Sequence, residues 1–185
     1  MGEKHYQINY MKNKHPKIYA FIDSQNLNLG TCKDIRNKNG KLIYKGWKLD
    51  FKKFRIYLKD KFHVSKAFIF IGYMKENRYL YRSLERFGFE LVYKATIKNG
   101  LGKAKGNVDA ELVLHAAAIE FNNYDKAVIV SGDGDFCCLH EYLKSKNKLL
   151  NIVIPNPYSE SSLLKLFQKY KIMLNREREK IEFKQ

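Results

Sequence analysis

The chain has 185 residues, 45% of them hydrophobic, enough for one domain with a full core and too many for a disordered chain. Lys and Arg number 35 against 19 Asp and Glu, a formal charge of +16. Such a field points to nucleic acid or an anionic membrane surface as partner and says nothing of fold. No run approaches the roughly 20 apolar residues of a membrane span.

The three cysteines, Cys32, Cys137 and Cys138, make no CxxC pair and no disulfide framework. Their odd count predicts a reducing compartment, the lack of a CxxC pair argues against structural zinc, and Cys137 and Cys138 are expected to pack as small apolar residues. The first 17 residues lack the apolar stretch of a signal peptide, so the expected location is cytoplasmic, away from membranes.

Residues 1–16 read as a polar N-terminal extension. Residues 18–22 predict a first buried strand, ending at Asp23. Residues 24–48 read as a long polar connection with Gly30, Gly40 and Gly46. Leu49, Phe51, Phe54, Tyr57, Leu58 and Phe62 then recur at helical spacing. Residues 66–71 are almost continuously apolar, as in a strand covered on both faces. Tyr79, Leu80, Leu84 and Phe87 predict a helix that Gly88 stops.

Residues 89–93 predict a third strand. A glycine-containing loop leads to Asn107, a good N-cap for a helix carrying Val108, Leu112, Ala116 and Ile119. A fourth strand spans 127–130, and Phe136, Leu139, Tyr142 and Leu143 mark another helix. Residues 149–154 form a fifth strand, closed by Pro155. Ser161 or Ser162 caps a last helix through Leu163, Leu164 and Phe167. The charged tail, 171–185, is compatible with a strand, a frayed helix or disorder.

The alternation implies an α/β domain over 17–170 with a mainly parallel sheet of about five strands, right-handed crossovers and helices on both faces. Ligands of such sheets bind beyond the carboxyl ends of the strands. That edge carries Asp23 and, after the fourth strand, Ser131-Gly132-Asp133-Gly134-Asp135. The two glycines suit a sharp bend, and Asp135 or Ser131 suits a helix N-cap. A cap does not need two carboxylates two residues apart, whereas a cation would hold them together. Asp109 falls in the first turn of its helix, where the dipole favours an acid. Glu111 points about 200° away from it. Asn26, three residues after Asp23, could hold a carboxylate, a phosphate or a water. Hard oxygen ligands without Cys or His suit Mg²⁺ or Mn²⁺.

Phe21-Ile22-Asp23-Ser24-Gln25-Asn26-Leu27, Lys105-Gly106-Asn107-Val108-Asp109 and Val130-Ser131-Gly132-Asp133-Gly134-Asp135-Phe136 resemble, in order and spacing, the NYN domain family. That family includes LabA-like proteins and belongs to the PIN/FLAP nuclease-like group. The resemblance covers about residues 17–170. It implies a Rossmann-like three-layer sandwich and a ribonuclease that uses Mg²⁺ or Mn²⁺. The metal ligands would be Asp23, Asp109, Asp133 and Asp135, with Asn26 as polar support. Many relatives carry a further Asp where this chain has His115.

Basic and aromatic residues supply candidate RNA contacts. Lys45, Trp47 and Lys48 lie in a stretch, 33–66, that holds 12 Lys/Arg and three acids. Stacking of bases on Trp47 and pairing of phosphates with the lysines would set affinity and salt dependence. Lys103, Lys105 and Ser131 flank the acids. A second reading is an RNA-binding module with weakened catalysis, acting in RNA processing or regulation. A phosphotransferase ranks last, because Asp23 is followed by Ser24 and Gln25 rather than by a second acid. The charged tail leaves a homodimer or a protein partner open.

Overall fold

The computed structural model describes residues 15–94, 97–98, 104–105 and 108–184. Strand β1 (Ile18–Asp23) is buried at every position. Its side chains alternate, with Ile18, Ala20 and Ile22 in one core and Tyr19 and Phe21 in a second core on the opposite face. This double cover is why the segment reads as an unbroken apolar run.

Helix α1 (Ser24–Cys32) starts directly after β1, where the sequence suggested a long connection. It buries only Leu27, Gly30 and Thr31, too few for a helical period to stand out. Its cap starts it, with the Asp23 carboxylate accepting the N–H groups of Gln25 and Asn26. A hairpin follows, made of β2 (Ile35–Arg36) and β3 (Leu42–Tyr44).

Helix α2 (Phe51–Phe62), capped by Asp50, leads to β4 (Val64–Gly72). A 3-10 turn (Lys75–Asn77) opens α3 (Arg78–Arg86), and β5 (Glu90–Lys94) follows. Gly88, with φ of 90°, ends α3 in the left-handed region that favours glycine. Strands β6 (Ile97–Lys98) and β7 (Ala104–Lys105) form a small antiparallel pair.

Helix α4 (Asp109–Leu114) continues as a π turn (His115–Ile119). The predicted cap Asn107 lies outside the described residues. Then come β8 (Lys126–Val130), a 3-10 turn (Gly134–Phe136), α5 (Cys137–Ser145) and β9 (Leu149–Ile154). The expected last helix is a 3-10 segment (Ser162–Tyr170), broken at Phe167 and capped by Ser161. Strand β10 (Lys171–Met173) and helix α6 (Arg178–Ile181) end the described chain.

The main sheet runs β10-β9-β8-β1-β4-β5, parallel throughout. It has six strands, because part of the charged tail joins it as β10. Beyond that strand, Leu174 and Ile181 are fully buried. Numbered by appearance, the sheet strands run 6-5-4-1-2-3, so the order reverses between β1 and β8. A crevice opens at such a reversal because successive crossovers leave to opposite sides. No helix among the described residues is long and apolar enough to cross a membrane.

Candidate active site

Pairing of Ile22 with Val130 sets Asp23 beside Ser131, at the carboxyl ends of the two strands that flank the reversal. Asp23 is only 4% exposed. Its Oδ1 accepts the amides of Gln25 and Asn26, each at 3.0 Å, and its Oδ2 accepts the Ser131 hydroxyl at 3.3 Å. The Ser131 Oγ accepts the Asp133 N–H at 3.1 Å, and Asn26 Oδ1 accepts the Gly132 N–H at 2.8 Å. Four hydrogen-bonding groups thus stitch one strand end to the other.

Asp133, and not Asp135, is the N-cap after β8, its Oδ1 accepting the Asp135 N–H at 3.0 Å. Neither Gly132 nor Gly134 has a positive φ, so sharp bending is not their role. Gly134 is required by close approach, since a Cβ there would come within 2.3 Å of the Ser161 hydroxyl.

An open cavity of about 630 Å³ lies at this edge, and Asp23, Asn26, Asp109 and Asp133 all line it, with Lys33 and Asn156. Burial pushes the Asp23 carboxyl above the usual carboxylate range, and the negative charge of Asp109 pushes it further. The amides of Asn26 and Gln25 and the Ser131 hydroxyl oppose that rise.

Among the described residues, the other sequence candidates do not line the cavity. Asp135 is exposed and does not line the cavity. Trp47 is buried, its indole N–H donating to the Tyr44 hydroxyl at 2.7 Å, so it has no face for a base. Ser131 is also fully buried and acts as a brace between Asp23 and Asp133. Lys45 is exposed and pairs with Asp34 at 2.9 Å. The Lys48 ammonium lies 4.4 Å over the Phe183 ring. Neither lysine lines the cavity. Lys103 and the side chain of Lys105 lie outside the described residues. Cys138 is exposed rather than packed, while Cys137 is half-buried against the second core.

His115 packs. Its Nδ1 lies 2.9 Å from the Glu111 carbonyl oxygen, and its ring meets Phe70 edge-on at 5.3 Å. Glu111 pairs with Lys94 at 3.2 Å. Sequence reasoning missed Asn156, which follows β9 at the same edge; it is 1% exposed and donates to the Gly30 carbonyl at 3.0 Å. The strand-end rule, applied to β9 as to β8, would have found it.

The donor set suits a hard divalent ion. It is all oxygen, and a cation would offset both the desolvation and the lesser Asp109 repulsion that raise Asp23. Among the described residues no three Asp, Glu, His or Cys side chains converge into one compact ligand group. Mg²⁺ does not require such a group, since it keeps several waters and takes one or two carboxylates with substrate phosphate.

A six-stranded parallel sheet flanked by helices, with acids at the reversal of strand order, is an architecture of the PIN-like nuclease class. Within that class the chain belongs to the NYN domain family, whose model matches residues 17–173. The family is nuclease-like, and its domains generally act on RNA. A crystal structure of a protein of unknown function from Vibrio parahaemolyticus RIMD 2210633 shares the fold, with a TM-score of 0.63 at 24% identity over 83% of this chain and 90% of the other. No curated protein matches the chain significantly.

Proposed function

We propose that the protein is a metal-dependent endoribonuclease that hydrolyses RNA phosphodiester bonds at the cavity between β1 and β8. One observation carries this reading, namely that Asp23, Asp109, Asp133 and Asn26 line a single open cavity at the sheet reversal. Asp23, Asp109 and Asp133 are the carboxylates that would hold Mg²⁺ or Mn²⁺. When bound, such an ion would ease deprotonation of a coordinated water to the attacking hydroxide and supply positive charge for the departing oxygen.

The chain's own residues prepare the cavity. Asp23 is oriented by three hydrogen bonds, so its outward lone pairs need little reorganisation. Asn26 is fixed through Gly132 and keeps its amide N–H₂ for a phosphate or a water. Lys33 brings a positive charge to the cavity wall, where it meets backbone phosphate without reading sequence. Asp135 donates its backbone N–H to Asp133.

The test is cleavage of labelled RNA in Mg²⁺ or Mn²⁺, with EDTA as the control. Asp133→Asn keeps the cap oxygen and is expected to lose about a hundredfold to a thousandfold in rate. Equal cutting by wild type and variant would assign the activity to a contaminant.

A second reading, an RNA-binding module without turnover, draws on the absence of a compact ligand group among the described residues. It predicts salt-sensitive RNA binding with no cleavage in any divalent ion.

A further inference from the structure

The carboxyl ends of β4 and β5 present a group of tyrosines that the acidic cavity does not use. Tyr73 follows β4, Tyr93 lies in β5 and Tyr81 comes from α3, with ring centroids 5.2, 5.7 and 5.8 Å apart. Tyr81 is buried; its hydroxyl accepts the Met74 N–H at 2.8 Å and donates to the Gly72 carbonyl at 3.2 Å. These bonds pin the turn that presents Tyr73. Tyr73 is 47% exposed, Tyr93 41%, and Tyr79, in the first turn of α3, 66%. The Arg78 guanidinium lies 5.0 Å over the Tyr79 ring and donates to its hydroxyl at 3.3 Å.

This group shares the edge of the acidic cavity. Asp23 pairs with Phe70 across β1 and β4, and Tyr73 comes three residues later on the neighbouring course. Strand geometry puts the two backbone positions roughly 10 Å apart. On the far side, the Lys94–Glu111 ion pair ties the end of β5 to α4, whose first residue is Asp109. A nucleic acid strand crossing the cavity therefore has these rings within reach of a few nucleotides.

We infer that Tyr73 and Tyr93, backed by the buried Tyr81, form a platform that stacks unpaired bases of a single-stranded RNA whose backbone passes through the acidic cavity. The choice of RNA rests on the proposed nuclease reading; the strandedness and the path are added here. Base stacking on side chains needs bases outside a helix, and in a duplex they are held inside. Ring faces supply stacking, while Arg78 and the nearby Lys75 supply charge for phosphate in a chain of net charge +16. Glu76 and Glu85 are the acids of the same segment.

Anisotropy titrations of labelled single-stranded and duplex RNA, in EDTA so that nothing is cut, test the platform. Tyr93→Leu is expected to weaken single-strand binding about fivefold or more, and adding Tyr73→Leu to bring the loss toward a hundredfold. Duplex binding is expected to change less than twofold. Arg78→Gln, which removes no ring, is expected to lower the salt slope by about one. Thermal melting checks that each variant is folded. Equal losses on both RNAs, or no loss, overturn the platform. So does an unchanged RNA affinity with loss of a dimer in light scattering, which would make the patch a protein interface. Cleavage in Mn²⁺ separates the two readings. A wild type that never cuts, with the single-strand losses still present, removes the nuclease and leaves the platform. Platform variants that cut subsaturating single strands at the wild-type rate remove the platform and leave the nuclease.

Discussion

The ends of β1 and β8 use the same device in different surroundings. Each strand ends at or near an aspartate whose Oδ1 caps the helical turn that follows. Asp23 is buried and its carboxyl is pushed upward by desolvation and by Asp109, whereas Asp133 is only half-buried. Capping and ligation therefore do not compete, because a carboxylate has lone pairs for both. What separates the two sites is desolvation, so substitutions at the two ends should divide differently between activity and stability.

The largest effect expected is on cutting. Asp23→Asn and Asp133→Asn should each lower RNA cleavage by about a hundredfold or more, while Asp135→Asn, which keeps the amide that matters, should change it less than about threefold. A large loss in Asp135→Asn would break the comparison, by making the exposed carboxylate a partner of Asp133 after all.

Acid should separate the two sides next. His140 lies on α5, the helix entered through the Asp133 cap, and is fully buried against Phe167. Neither ring nitrogen meets a partner among the described residues, and burial lowers its pKa to about 4. A histidine whose folded pKa is depressed binds fewer protons in the native state, so stability falls as pH drops from about 6.5 toward 4, by about 3 kcal/mol. Chemical denaturation across that range should show the loss, and His140→Leu should flatten it. A slope unchanged in His140→Leu would move the acid sensitivity to another group.

The contrast also explains how much of the site was legible in the sequence. Strands β1, β4, β8 and β9 were readable because burial on both faces makes them largely apolar runs, and the acids stand out against a basic chain. Helix α1 was not, because it is started by its cap and buries three residues, two of them Gly30 and Thr31. Trp47 misled for a related reason: beside lysines it reads as a stacking platform, yet its N–H finds Tyr44 and the ring is covered. Composition does not tell an exposed aromatic from a covered one, and the exposed ring at 73 depends on where the turn after β4 is pinned. Ser131 was found as a site residue but given the wrong partner, since its hydroxyl is used up between the two strand ends.

The smallest effect is the one that tests the electrostatics directly. Asp23 has a raised folded pKa, so the native state binds more protons than the unfolded chain between the unfolded and folded values. Its ionisation therefore costs stability as pH rises through that window, and the cost persists at neutral pH. Asparagine in its place keeps an oxygen for the Gln25 and Asn26 amides and offers an N–H₂ to the Ser131 oxygen, without the charge. Asp23→Asn should accordingly melt higher than wild type at pH 7 in EDTA, by about 0.5–2 kcal/mol, the range typical when a group held for function is relieved. Asp133→Asn, less desolvated, should gain less. Adding Mn²⁺ should stabilise the wild type and close the gap, since an ion that binds only the folded state adds free energy that the variant cannot use. If Asp23→Asn melts lower in EDTA, the carboxylate is a net stabilising cap and the repulsion from Asp109 is too weak to need a cation.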